Sequence, residues 1–353
     1  MLLSVLAAIL LLGILITVHE FGHFIAARLT GIDVMEFAIG FGPKLVGWTG
    51  KKGTKFSLRA IPLGGFCAFY GEDDAQGNHK DDPRAYNNQS VWKRMLTIIM
   101  GPMMNFVLAF VAAVGYFMYM GAPVGPEVWE PYLAAIEERS PASVAGLEAG
   151  DVIVTVDGVE MLDGTVETLL AHLNRETAMN LTVRRGESTF DTVCTPMWDA
   201  DNQRYRIGVS IGGKYVGEYA PMPLGDAISN SAYACWNAGR VIFDALTGLF
   251  TRGEGLDQTS GPVGVITQVS QQVRQDGFEA FMNLLVVISI NLGMMNLLPI
   301  PGLDGSRFLF TVVEAIRRKP IAREKEAMVH LIGMVFLFGL MIFFTIRDVA
   351  KLF

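Results

Sequence analysis

The stretch Met1-Leu-Leu-Ser-Val-Leu-Ala-Ala-Ile-Leu-Leu-Leu-Gly-Ile-Leu-Ile-Thr-Val18 carries no charge and runs straight into His19-Glu-Phe-Gly-His23. Its length is close to the roughly 20 residues an α-helix needs to cross a bilayer. Three more uncharged apolar stretches follow, Met95–Met120, Ala280–Leu303 and Ala327–Ile346. The reading is therefore a polytopic α-helical membrane protein with four transmembrane helices. Composition agrees: of 353 residues, 51% are hydrophobic and 18% charged, against about 25% charged in an average soluble chain. This excludes a single soluble globule. A cleaved signal peptide would begin with a basic segment, but the first Lys or Arg is Arg28, so the first span is expected to be retained.

The net charge of −7 is unevenly spread. Residues 31–92 hold seven basic and seven acidic side chains, residues 299–327 six and four, and residues 121–275 ten and twenty. Lys and Arg enrichment in short loops marks the cytoplasmic side. The first two segments then lie inside, and the long acidic one outside with both termini. No basic stretch interleaved with aromatics suggests nucleic-acid binding. Cys67, Cys194 and Cys235 show no metal or redox spacing and are read as unpaired.

Between the first two spans, alternation at Phe56, Leu58 and Ala60, with Gly and Pro around it, predicts a membrane-associated β-hairpin over 38–66. Residues 71–90 read as a solvated loop. In the outer segment, Ser140-Pro-Ala-Ser-Val-Ala-Gly-Leu-Glu-Ala-Gly-Asp-Val-Ile-Val-Thr-Val-Asp-Gly predicts a capped short helix ended by Gly150, then a strand closed by an Asp-Gly turn. Asn180–Arg185 and Arg206–Ile211 are further strands. This pattern resembles a PDZ domain over about 125–213, which implies an inserted extracytoplasmic α+β module offering a sheet edge to an extended peptide. Apolar positions at spacings of three and four from Leu224 to Phe250 predict an amphipathic helix, expected at the membrane interface. The organisation is then a membrane half over 1–120, the outer segment 121–222, the helix and linker 223–279, and a second membrane half 280–353.

His19 and His23 stand one helical turn apart, so both imidazoles can bind one Zn²⁺ while Glu20 reaches its open side. Two imidazoles and a carboxylate inside an apolar span cost several kcal/mol unless coordinated, which makes function the default reading. A zinc hydrolase needs a third ligand. Asp304 is the candidate, in Asn296-Leu-Leu-Pro-Ile-Pro-Gly-Leu-Asp-Gly305, where the prolines break the third span and an irregular turn is expected. His79, His172 and His330 match no ligand spacing.

The two motifs together look like the site-2 protease family of intramembrane zinc metalloproteases. Gly101-Pro-Met-Met-Asn105, Gly261-Pro-Val-Gly-Val and Asn291-Leu-Gly continue the resemblance, which covers essentially the whole chain and is of the bacterial regulator of sigma-E protease type with one PDZ domain. The resemblance implies one zinc held by His19, His23 and Asp304, with Glu20 as general base. It implies substrate contacts at Asn105 and Asn296, and at Phe56, Leu58, Gly64 and Gly65 of the hairpin. It further implies a monomer in the bacterial inner membrane, among lipid, cutting transmembrane proteins first trimmed by a site-1 protease. A metal transporter would need a polar path through several spans, and no internal repeat supports one. A silent PDZ scaffold would have no need of Glu20.

Overall fold

The computed structural model describes residues 2–72, 82–124, 129–137, 139–161, 166–200, 203–215, 218–253, 260–319 and 321–350. The chain opens with α1 (Leu2–Thr30), β1 (Val34–Thr49), β2 (Lys55–Phe69) and α2 (Val91–Tyr119). There follow β3 (Ala122–Val124), β4 (Trp129–Ile136), α3 (Pro141–Val144), β5 (Val152–Val156), β6 (Val159–Glu160), α4 (Val166–Leu173), β7 (Met179–Arg185) and β8 (Ser188–Cys194). The rest comprises β9 (Met197–Asp199), β10 (Arg204–Arg206), β11 (Val209–Tyr215), β12 (Glu218–Ala220), α5 (Leu224–Arg252), α6 (Pro262–Leu297), α7 (Asp304–Arg317) and α8 (Arg323–Ala350). Two compact units result, one made of Met1–Tyr119 with Met222–Phe353 and one of Met120–Pro221.

Among the described residues of the first unit, four helical segments are long and apolar enough to cross a membrane: Leu3–Thr30, Val91–Tyr119, Asp276–Leu297 and Glu324–Ala350. The first does not stop near Val18 as expected. Phe21, Phe24, Ile25, Ala26 and Ala27 continue it without a breaker, so the His-Glu pair sits inside the helix rather than at its end. The third span ends at Leu297, short of Leu303, because a residue before proline is pushed out of the α region, and Leu298, which precedes Pro299, is extended at ψ 142°. Its start is marked by Gly277, whose φ of 61° and ψ of −130° break α6 into two helical pieces.

Ala8, Leu11 and Leu15 of α1 pack with Ala109, Ala112 and Ala113 of α2 and Leu285, Val286 and Ile290 of α6. Small residues let these helices approach closely, where lipid tails supply no hydrophobic drive of their own. The amphipathic helix α5 packs on α2 and α6, and Cys235, Ala238 and Ile242 join the same cluster. Its other side exposes Tyr233, Trp236, Val241 and Phe243. Gly264, near the start of α6, donates its N–H to Asp348 Oδ2 of α8 at 2.8 Å, which satisfies one of the helix's otherwise unpaired donors.

The hairpin is longer than 38–66 and folds back on itself. Segment 44–49 pairs with 55–59 antiparallel, from Lys44↔Arg59 to Thr49↔Lys55, and segment 36–39 pairs with 65–68, from Glu36↔Ala68 to Ile39↔Gly65. Segment 36–39 also meets 55–58, with partner numbers rising together from Glu36↔Lys55 to Ile39↔Leu58. The bends in β1 and β2 thus make four short segments, with 36–39 and 55–59 in the middle. Of the loop 71–90, most of the acidic stretch and His79 lie outside the described residues.

The second unit is a sheet ordered β11-β4-β5-β7-β8, with β6 paired to β5. Its core holds Leu133, Ile153, Met161, Leu169, Met179, Leu181 and Ile207. Ser140 caps α3 by accepting from the Ser143 N–H at 3.2 Å. That helix ends at Ala145, before the expected Gly150, because Gly146 already turns left-handed at φ 77°. Asp157 and Gly158, at φ 49° and 80°, form the expected turn between β5 and β6. The last long strand spans Val209–Tyr215 and not Arg206–Ile211, since Arg204–Arg206 pairs with β9 instead.

Candidate metal centre

His19 and His23 lie on one face of α1, with their Nε2 atoms 3.3 Å apart. Asp304 is the first residue of α7, not part of an irregular turn, and aims its carboxylate at both rings. Its Oδ2 stands 3.0 Å from His19 Nε2 and 3.2 Å from His23 Nε2. A tetrahedral ion with ligands at about 2.0–2.1 Å needs ligand-to-ligand edges of about 3.3 Å. The triangle therefore has the size of one face of a zinc site.

Proton placement makes the same demand. His23 Nδ1 is 2.8 Å from the Thr97 carbonyl oxygen, an atom that can only accept, so Nδ1 carries the hydrogen. In the neutral ring Nε2 is then a lone pair, pointed at a carboxylate oxygen and a second imidazole. His19 and His23 are 8% and 7% exposed, so water does not relieve this concentration of electron pairs. A divalent cation does, and two imidazoles with one carboxylate are a zinc donor set.

Close approach explains several motif residues. A Cβ on Gly101 would stand 2.2 Å from His23 Nε2; glycine alone leaves room for the ring between α1 and α2. A Cβ on Gly305 would stand 2.3 Å from the carbonyl oxygens of Leu297 and Leu298, so this glycine lets α7 begin directly under the end of α6 and deliver Asp304. Helix α7 is held in turn by ion pairs from Arg307 to Glu72 and from Arg94 of α2 to Glu314.

Glu20 is half-buried next to the triad, facing the sheet. A Cβ on Gly65 would lie 3.2 Å from Glu20 Cγ and 2.8 Å from the Ala38 carbonyl oxygen. Gly65 therefore brings bare backbone against the glutamate. Gly64 has φ 105° and lies under the Phe41 ring. Phe56 and Leu58 line an apolar cavity of about 260 Å³ with Phe21, Phe24, Phe37 and Trp48. Elsewhere in this sheet, burial raises the Glu36 carboxyl, but hydrogen bonds from Arg59 and Ser57, each 2.7 Å, outweigh it and leave the group lowered.

The structure brings His19, His23, Asp304 and Glu20 together and treats the two asparagines differently. Asn105, expected against substrate, is fully buried and meets His19 Nδ1 at 3.1 Å. Asn296 donates to the Leu292 carbonyl of its own helix at 3.0 Å and joins none of the metal-binding atoms. Asn291 is exposed, and His172 is half-buried and bonded to the Thr168 carbonyl. His330 packs on Phe310 beside the Pro301-Gly302 turn. Thr97 is the residue sequence reasoning passed over, because its contribution is a main-chain oxygen that no side-chain pattern announces.

The family model for peptidase family M50 matches residues 7–340, and the chain belongs to that family, the site-2 proteases. It is a membrane-embedded zinc metalloprotease. It is 32% identical to the regulator of sigma-W protease RasP of Bacillus subtilis, with 99% of each chain covered. It is 31% identical to the zinc metalloprotease RasP of Bacillus licheniformis over 99% of each. Among solved structures, part of the chain is similar to the PDZ domain of an SdrC-like protein from Listeria monocytogenes. That match is 16% identical, with a TM-score of 0.21, and covers 26% of this chain and 93% of that one.

Proposed function

We propose that this protein is an intramembrane endopeptidase that cuts the transmembrane segments of single-span proteins, such as anti-sigma factors and signal-peptide remnants, in regulated intramembrane proteolysis. The observation that carries the reading is a zinc-sized triangle of His19, His23 and Asp304 whose two histidines lie in a membrane-length helix. Bound zinc supplies an electrophile that polarises the scissile carbonyl and brings a water's pKa to about 7. Glu20 accepts the proton of the attacking water and delivers it to the leaving amine. His19, His23 and Asp304 hold the ion, and the buried walls of α1 and α2 keep bulk water from the site.

A helical substrate hides its carbonyls in internal hydrogen bonds, so it must unwind before it is cut. Segment 65–69 is an outer segment of the sheet among the described pairings and carries Gly65 against Glu20. The extended substrate adds there as a strand, with an apolar side chain near Phe56 and Leu58 and with Asn296 close to its path. On the charge distribution, both termini and the 120–221 unit, read as a PDZ domain, face outward, and the metal lies toward the cytoplasmic leaflet of a bacterial inner membrane. The PDZ unit then excludes proteins not yet trimmed by a site-1 protease, and the enzyme works as a monomer.

The test uses the full chain in lipid nanodiscs with a single-span protein as substrate. Glu20→Gln is expected to keep one zinc and lose cleavage by about 10³-fold or more, whereas Asp304→Ala loses both. Full activity of Glu20→Gln, or a cut mapped by mass spectrometry outside the apolar segment, overturns the reading. Protease protection of the 120–221 unit in sealed vesicles checks its sidedness.

A further inference from the structure

Asn105 is fully buried in α2, and its main-chain oxygen accepts from Ser289 Oγ of α6 at 2.8 Å. Its side-chain amide lies with Nδ2 3.1 Å from His19 Nδ1, while its Oδ1 is buried with no partner among the described residues. This arrangement conflicts with the metal site. For His19 to offer Nε2 as a lone pair to zinc, the neutral ring must carry its hydrogen on Nδ1. An N–H would then face the amide N–H₂, donor against donor, while an acceptor oxygen stands idle on the same side chain. A half turn about the Cβ–Cγ bond exchanges Oδ1 and Nδ2 without changing the shape of the residue. Either orientation leaves one amide atom unpaired, so the His19 tautomer decides between them.

We propose that Asn105 is a positioning residue whose Oδ1 accepts the Nδ1 hydrogen of His19 and so locks His19 as the tautomer that binds zinc through Nε2. The inference rests on the zinc reading above. It gives the two histidines matched partners, the Thr97 carbonyl for His23 and the Asn105 carboxamide for His19, both from α2. Such outer partners fix ring orientation and raise ligand basicity, and their loss commonly weakens metal binding by about 10–100-fold.

The experiment measures zinc affinity by chelator competition on the full-length protein in detergent, with no substrate present. Cobalt substitution provides a visible spectrum that reports ligand geometry. Asn105→Leu, nearly isosteric and without an acceptor, is expected to bind zinc about 10–100-fold more weakly and to shift the cobalt spectrum. Asn105→Asp keeps an oxygen in place and is expected to restore affinity to within about threefold of the unsubstituted protein or better. Ser289→Ala, which removes a neighbouring helix contact, is expected to leave zinc affinity unchanged.

A folded Asn105→Leu protein with undiminished zinc affinity overturns the proposal, and if it also fails to cleave, Asn105 acts on substrate instead. An Asn105→Asp protein as weak as Asn105→Leu overturns it as well, since the acceptor is then not what matters. If Asn105→Leu does not fold, Asn105→Ala against Asn105→Asp decides by the same comparison. Failure of the underlying reading is distinct: the unsubstituted protein itself would hold no zinc.

Discussion

Each unit holds a carboxylate among polar partners, fully buried at Asp151 and partly buried at Asp304, and they satisfy it in opposite ways. In the inserted unit Asp151 is 0% exposed and is fully answered within the chain. Arg185 donates to it twice, at 2.7 and 2.8 Å, and the Glu148 N–H once, at 2.8 Å. In the membrane unit Asp304 faces two imidazole nitrogens among the described residues, and in the neutral His23 ring, whose Nδ1 donates to Thr97, the nitrogen it faces is a lone pair. A carboxylate paired with a guanidinium and main-chain N–H groups is finished and structural. One that converges with lone pairs is unfinished until a cation arrives, and that distinguishes a metal site from a buried ion pair.

The sharpest way to break this comparison is at Gly101. Gly101→Val is expected to abolish cleavage, by about 10³-fold or more, and to lower zinc content, because the new side chain occupies the place of the His23 ring. Normal zinc in this variant, measured by elemental analysis, would mean that α2 does not position the ligand. Next in size, Gly65→Val is expected to slow cleavage about 10–100-fold through misplacement of substrate against Glu20, with zinc unchanged. Loss of zinc in Gly65→Val would place that glycine in the metal site and not beside it.

For the inserted unit the expected effect is on stability alone. Asp151→Asn should destabilise it by about 2–3 kcal/mol, a figure kept low because Arg185 is partly solvated. Pulse proteolysis of the full chain reads this, and zinc content should not move; a drop in zinc would show that Asp151 and Asp304 are not independent. The smallest effect concerns Cys194, where burial pushes the thiol up to about 11. Folded protein at pH 8 should resist maleimide at this residue, and denatured protein should react. The raised value gives a stabilisation that is complete below the unfolded thiol's pKa of about 8.5 and fades as pH climbs toward 11. Rapid labelling of native protein at pH 8 would contradict that burial.

Much of the site could be read from residues because its first half is local. His19 and His23 share a helix face by spacing alone, and an apolar run of membrane length made Glu20 costly enough to demand a reason. The fit of Asp304 was harder, since His23 and Asp304 are 281 residues apart, and only the likeness of the whole motif joined them. The outline of the hairpin was legible in the alternation at Phe56, Leu58 and Ala60. Its doubling into four segments was not, because bends at β-bulges leave no period in the sequence. That α1 runs on to Thr30, past the uncharged stretch ending at Val18, has a related reason. Charge and histidine do not stop a helix when it can bury them against a partner, and the partner was not visible.

By itself, then, the sequence determined the four apolar spans and the placing of His19 and His23 on one helix face with Glu20 beside them, all of which depend on spacing along one helix or on composition over about 20 residues. Tertiary structure alone decided that Asp304 opens a helix and that Asn105 lies against His19. It also decided that Gly101, Gly65 and Gly305 are small for the sake of neighbours on other elements. These are properties of distances between segments far apart in the chain. A residue's own type does not encode such distances; the packing of α1, α2, α6 and α7 around it does.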